Sequence, residues 1–255
     1  SFEVVPGVRA SSVLLHVPHA SRAIPDDVRG GILLDDDALE VELDAITDAR
    51  TDEIALHVAE EAGLRPWVFV NRCSRLVVDP ERFPDDSEEM NAVGMGAVYE
   101  RTTQREVLRR PTDAERSALL VAYFTPYAAA LAELVGERLA AVGRVTILDL
   151  HSYPQVALPY ELHGDGPRPE VCLGTDAFHT PPDLVEAATS AFAGSLPGVD
   201  IGLDSPFAGC YVPLDRYGSD HSVTALMLEL RRDVVETRTD DLVAASVALV
   251  DRLAT

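Results

Sequence analysis

Apolar and polar positions along the chain follow two periods. Short apolar runs recur and end in polar residues, and between them lie longer stretches with apolar positions three and four apart. The clearest run is Val145-Thr146-Ile147-Leu148, which continues into Asp149, Leu150, His151 and Ser152. Runs of this length fit strands covered on both faces, as in a parallel sheet. Ser12 to His16 has the same design and is followed by a loop, Pro18-His19-Ala20-Ser21-Arg22. Trp67 to Val70, Val171 to Thr175 and Thr224 to Leu230 are further predicted strands, the last carrying Glu229 toward its end with Arg231 just beyond.

The helical period fills the intervals. Asp35 to Glu42 opens a helical pattern that runs on to His57 and stops at Gly63. Thr112 to Gly143 is helical throughout, with Thr112 and Glu115 spaced as a capping box and Pro126 placed to break the run. Pro182 to Phe192 and Thr239 to Leu253 are the remaining helices; Asp240 and Asp241 suit the first turn of the latter, where the helix dipole favours negative charge. Asn71 to Asp86 is turn-rich and holds Arg72, Arg75 and Arg82. Met90 to Tyr99 contains two glycines and is expected to be a mobile surface loop, and Pro206 to Pro213 is expected to be extended. Strands alternate with helices from end to end, with no repeat, low-complexity tract or long linker. The pattern therefore predicts one domain over residues 1–255, of α/β class, with three layers (α/β/α) around a mostly parallel, mixed central sheet.

Composition narrows the partners. The 255 residues are 47% hydrophobic, enough for a sizeable core. A net charge of -22 argues against nucleic acid, whose backbone needs clustered cations. All 21 basic residues are arginine, which rules out a lysine nucleophile or a Walker-type lysine. The negative field repels anionic substrates at long range, so such a substrate needs arginines placed locally. Cys73, Cys172 and Cys210 form no CxxC and are expected to be reduced thiols of a cytoplasmic protein. No basic-then-apolar leader opens the chain and no apolar stretch of transmembrane length is predicted, so no membrane partner is expected.

The candidate chemistry lies at the strand ends, where ligands gather in open α/β sheets. A catalytic zinc keeps three protein ligands and an open position. His19, just past the first apolar strand, and His151 are suitable donors, and a carboxylate would complete the set. An acid three residues after His19 is absent, since that position is Arg22. Asp44, Asp48 and Asp52 lie four apart and are expected on one helix face, either as a solvated face or with one of them reaching a metal or an arginine. Glu229 is placed to act as a base; the alternative is a buried salt bridge to Arg75 or to Arg231, expected on the same strand face. A serine route is weaker, because no G-x-S-x-G occurs and Ser152 follows His151 without an elbow. No cysteine has an evident histidine partner.

Five stretches occur in order: Leu14-Leu15-His16-Val17-Pro18-His19-Ala20-Ser21-Arg22, Ser74-Arg75-Leu76-Val77-Val78-Asp79-Pro80-Glu81-Arg82, Leu148-Asp149-Leu150-His151-Ser152, Leu173-Gly174-Thr175-Asp176 and Leu228-Glu229-Leu230-Arg231. Together they resemble the N-formylglutamate amidohydrolase family over about residues 10–235. The resemblance implies a fold similar to the zinc carboxypeptidases (phosphorylase/hydrolase-like) and a bound Zn2+. It implies a small-molecule substrate, an N-formyl or small N-acyl amino acid; with N-formyl-L-glutamate the products are formate and L-glutamate, a reaction of histidine degradation. By the same resemblance His19 and His151 match metal-ligand positions, and Thr47-Asp48 matches a family Thr-Asp, which favours Asp48 as third ligand. Glu229 matches the catalytic glutamate, while Arg75 and Arg82 match arginines that hold carboxylates or polarise the carbonyl. Asp79, Ser152 and Arg231 are expected to complete the substrate contacts. One departure is Pro80-Glu81-Arg82, where many members have leucine-asparagine-arginine. A peptide amidase of carboxypeptidase type and a non-catalytic member that binds an acidic ligand are the alternatives.

Overall fold

At the centre of the computed structural model, which describes residues 2–254, lies the strand marked by the clearest apolar run. It spans Val145–Tyr153 and is buried along its whole length. In chain order the strands are Phe2–Val5 (β1), Val13–Val17 (β2), Trp67–Asn71 (β3), Val145–Tyr153 (β4), Val171–Gly174 (β5), Ile201–Leu203 (β6) and Val223–Arg231 (β7). They form one sheet in the order β1-β3-β2-β4-β7-β5-β6. The central four, β3, β2, β4 and β7, run parallel; β1 is antiparallel to β3, and the β5–β6 pair is antiparallel to β7. The edge strands β1 and β6 were not foreseen, because each is short and carries no sustained apolar run.

Two helical layers cover the sheet. Thr51–Glu61 (α3), Pro182–Ser195 (α6) and Thr239–Leu253 (α8) pack on one face, against Leu15, Leu148, Leu150, Leu226 and Leu228. Thr125–Val142 (α5) packs on the other, through Tyr127, Leu131, Leu134 and Val135 against Leu14, Ile147 and Ala225. Alternate residues of each strand thus feed opposite cores, as the period of two requires. The remaining helices are Asp26–Arg29 (α1), Asp36–Ile46 (α2), Asp113–Leu119 (α4) and Arg232–Thr237 (α7). The capping box of Thr112 and Glu115 forms at the start of α4.

The structure differs from the sequence expectations in three places. Pro126 does not break the helical run; it sits near the start of α5, directly after a π-helical turn at Leu120–Phe124. The resulting run, Asp113–Val142, is long and apolar enough to meet a membrane-span criterion of length and composition, contrary to the expectation of no such stretch. Pro126, expected to split the run, hid its full length in sequence. Met90 to Tyr99 is not a surface loop: Met90, Met95 and Tyr99 are buried in a small core with Leu39, Leu43, Ile46 and Leu76. Gly94, at φ 75, supplies the left-handed turn that brings Met95 inward. Finally, Asp44, Asp48 and Asp52 do not share a helix face. α2 ends at Ile46 and α3 starts at Thr51, so Asp48 lies in the joint between them and is buried. Asp44 pairs with Arg22 and Asp52 with Arg72 nearer the surface.

Leu148 is fully buried in the middle of β4. Leu148→Ala should therefore cost about 2–5 kcal/mol in chemical denaturation, by lost burial plus the cavity left behind. The exposed Val121→Ala should stay within about 0.5 kcal/mol of the parent. Equal effects of the two would contradict this packing.

Candidate active site

One face of the sheet carries the site. On the α5 side, β4 presents Val145 and Ile147 to the core and then Asp149 and His151; β7 presents Val223 and Ala225 and then Met227 and Glu229; β2 presents Leu14 and then His16. The same alternation that buries the apolar residues under α5 delivers the polar ones at the carboxyl ends of the parallel strands. His16 is the hinge between the two regimes. Its Nδ1 lies 2.8 Å from Asp149 and its Nε2 2.6 Å from the Tyr127 hydroxyl on α5, so its ring is fully engaged in the core.

His19 and Asp48 come from loops, and the backbone fixes both. The Asp48 N–H donates to the His19 carbonyl at 3.0 Å. Asn71, at the end of β3, donates its side-chain amide to the Pro18 carbonyl at 2.9 Å. Arg232, at the start of α7, donates to the carbonyls of Asp44 (3.1 Å), Ala45 (2.9 Å) and Thr47 (2.7 Å). It thereby satisfies the free C-terminal carbonyls of α2 and places a cation at the negative end of that helix.

His19, Asp48 and His151 converge with one donor atom each inside a 4.8 Å span. Asp48 Oδ2 lies 2.9 Å from His151 Nδ1 and 3.6 Å from His19 Nδ1, and the two Nδ1 atoms are 3.3 Å apart. All three residues are buried. The far nitrogens also face carboxylates: His19 Nε2 lies 2.9 Å from Asp79, and His151 Nε2 lies 3.3 Å from both Asp149 and Glu81. Metal-bound imidazoles have this arrangement, in which the outer carboxylate fixes tautomer and ring orientation. Burial opposes the Asp48 charge, but His151 and His19 outweigh it and hold the carboxyl below its usual range.

Asp79 corrects the expectation of a substrate contact. It is completely buried and its oxygens are already taken, by His19, by Arg75 at 2.7 Å and by the Tyr99 hydroxyl at 2.5 Å. Burial works against its charge, yet Arg75 and His19 keep it well below the carboxylate range. Arg75 Nε also donates to the Tyr99 oxygen at 2.9 Å and stays buried, with Nη1 3.8 Å from Asp48. Arg82 differs. Its Nε lies 3.6 Å from Asp79 and makes no hydrogen bond, and its side chain is 26% exposed at the cleft.

Glu229 pairs in register with His151 across β4 and β7. It is buried, and its Oε2 has no hydrogen-bond partner among the described residues. Burial lifts its pKa to about 8, against the pull of His151. Neither expected salt bridge forms: Arg75 is committed to Asp79, and Arg231 to Asp233 at 2.7 Å and to the Arg168 carbonyl at 2.8 Å. Arg231 follows Glu229 by two positions but lies at the strand end, where α7 begins, and Asp233 on that helix claims it. It does not line the cleft. A cavity of about 430 Å3 does collect His19, Asp48, Arg75, Arg82, His151, Ser152 and Glu229, with Tyr160 and Arg232 in its wall. The Ser152 hydroxyl donates to the Ala49 carbonyl at 3.3 Å.

Sequence reasoning missed Tyr99, Tyr160 and Arg232. Tyr99 fell in the supposed loop, Tyr160 in an irregular stretch, and Arg232 acts on backbone carbonyls that leave no mark in sequence. Removing the Arg232 donors should loosen the joint that carries Asp48. Arg232→Met should then weaken metal binding by about 10–100-fold, the usual effect of losing an outer partner, in competition with a chelating dye. A fully folded Arg232→Met with parental affinity would remove Arg232 from this role.

Known proteins similar to the chain point one way. The family model described as N-formylglutamate amidohydrolase matches residues 11–235. Among solved structures, N-formylglutamate amidohydrolase from Ralstonia eutropha JMP134 aligns with a TM-score of 0.81 at 22% identity, covering 99% of this chain and 96% of that one. A gene product of Agrobacterium tumefaciens aligns with a TM-score of 0.69 at 22% identity, covering 99% and 94%. At such identities the structural likeness is one of fold. No curated protein matches the sequence.

Proposed function

The chain belongs to the N-formylglutamate amidohydrolase family and is a hydrolase of that kind, and we propose that it uses zinc, held by His19, Asp48 and His151, to cleave the amide of an N-formyl or other small N-acyl amino acid. N-formyl-L-glutamate is the substrate that the family match brings first to the assay. The observation that carries this reading is the meeting of three buried donors with a free, buried carboxylate oxygen of Glu229 on the adjoining strand.

Two imidazoles and one carboxylate leave an open coordination position, the donor set of catalytic rather than structural zinc. The carboxylates behind each ring fit the same reading, because they leave both Nδ1 atoms facing Asp48. When bound, zinc supplies Lewis acidity toward the substrate carbonyl and lowers the pKa of water. Glu229 accepts the proton of the attacking water and returns it to the amide nitrogen. The water oxygen becomes bonded to the acyl carbon, the C–N bond breaks, and with N-formyl-L-glutamate the products are formate and L-glutamate. Arg82, which lines the cleft and whose Nε makes no hydrogen bond among the described residues, takes the substrate carboxylate. Arg75, held rigid by Asp79 and Tyr99, turns its cationic edge to the cavity and helps polarise the carbonyl. Ser152 lines the same cavity and offers a hydroxyl to the substrate. Asp79 acts through His19 and Arg75 instead of touching substrate.

Protein purified without chelator should contain about one zinc per chain, as one three-ligand site implies. His151→Ala with full metal content would overturn the ligand set. Glu229→Gln should keep the metal and the thermal midpoint but lose about two to four orders of magnitude in turnover of N-formyl-L-glutamate. Normal turnover by that variant would exclude Glu229 as the base. A panel of N-acyl amino acids and short peptides tests the substrate class: cleavage of peptides alone favours a peptide amidase, and binding without cleavage favours a non-catalytic role.

A further inference from the structure

A second cavity, of about 450 Å3, lies beside the first. The two share Glu81, Arg82, Glu89, Ala208 and Met227 in their walls, so they are neighbouring compartments of one cleft. The wall of the second includes the apolar side chains of Phe83, Phe124, Tyr211, Val212, Leu214 and Tyr217. Phe83, Leu214 and Tyr217 stand at 37%, 47% and 42% exposure although all three are large and apolar. Single exposed apolar residues need no explanation, but three that converge on one cavity do. Phe83 and Tyr217 come from distant segments and meet edge-on, with ring centroids 5.9 Å apart.

The polar groups around this compartment are mostly spent. Asp149 is engaged by His16 and by the Tyr211 N–H, and the Glu88 carboxylate accepts the N–H groups of Phe83 and Met90. What remains at the shared wall is the Arg82 guanidinium; Glu81, in the same wall, faces His16 and His19 at 3.5 Å and His151 at 3.3 Å. One cation there suffices for one substrate carboxylate. Among the described residues lining this compartment Arg82 is the one arginine, so a second carboxylate would find no cation of its own there. An uncharged apolar group needs no such partner and would cover the exposed rim.

We propose that the second compartment is a subsite for a large uncharged side chain, aromatic or branched aliphatic, on the amino-acid part of the substrate. It rests on the hydrolytic reading of the His19–His151–Glu229 cavity and extends its substrate class to N-formyl amino acids with apolar side chains. Arg82 holds the carboxylate at the boundary, and the side chain passes beyond it into the apolar compartment.

The test compares N-formyl-L-phenylalanine and N-formyl-L-leucine with N-formylglycine, which has no side chain, on the zinc-loaded protein. The expected kcat/KM is at least about tenfold higher for the first two, the scale of a filled apolar pocket. Leu214→Asp and Tyr217→Ser should each lower kcat/KM for the phenylalanine substrate about tenfold or more and leave that for N-formylglycine unchanged. Tyr217→Phe should behave as the parent, and thermal midpoints show that each variant folds. Equal kcat/KM for the glycine and phenylalanine substrates would overturn the subsite, as would variants that lower both alike. If no N-formyl compound is cleaved, the hydrolytic reading fails, and calorimetric titration with L-phenylalanine and glycine decides the subsite alone. Tighter binding of L-phenylalanine that Tyr217→Ser abolishes supports it, and equal binding of the two amino acids overturns it.

Discussion

One buried carboxylate ties the site together. Asp79 accepts from Arg75, from the Tyr99 hydroxyl and from His19, and so joins three stretches of chain at a point without access to water. Its charge is tolerated there only because the cation of Arg75 lies against it. Conversely, Arg75 can be buried beside Asp48 only because Asp79 neutralises it. Breaking such a buried pair from one side typically costs about 3–5 kcal/mol, because the survivor is left uncompensated. The geometry of His19 is therefore inherited from an ion pair, and the ion pair is held by a small core in which Tyr99, Leu76 and Met95 are packed.

The sheet supplies the other half. A parallel strand buried on both faces has no room for charge until it passes the helix that covers it. α5 covers Leu14, Ile147 and Ala225, and the next residues on that face are His16, Asp149 and Met227, followed in β4 and β7 by His151 and Glu229. The change from apolar to ionisable residues thus follows the coverage by α5. Side chains on strands are positioned by the ladder itself, which suits atoms that must hold a fixed distance.

That division explains what could be read in sequence. The apolar runs of β2, β4 and β7 and the helix of Thr239–Leu253 were legible because their periods are set by burial. His151 and Glu229 were legible because they interrupt those runs, and His19 because it follows one directly. Asp48 was ambiguous among three acids spaced four apart; only the break between α2 and α3, which no glycine or proline announces, removes Asp44 and Asp52 from the cleft. The burial of Asp79 escaped the sequence for a related reason. A carboxylate in a turn-rich segment looks solvent-facing until Tyr99 and Arg75, 20 residues after it and four before it, close around it. Arg231 shows the limit of strand periodicity, which fails where a strand gives way to a helix and a new partner such as Asp233 comes within reach.

The strand order also sets a schedule for the chain as it is made. β2 meets β4 across more than a hundred residues, and β4 meets β7 only after residue 223 has been synthesised. Pairings so distant in sequence form slowly, because the intervening loops must be closed before any contact repays them. Both histidines and Asp48 therefore leave the ribosome long before the strand that brings Glu229 beside them. During that interval the apolar edge of β4 awaits its neighbour, and only the completion of β7 covers it.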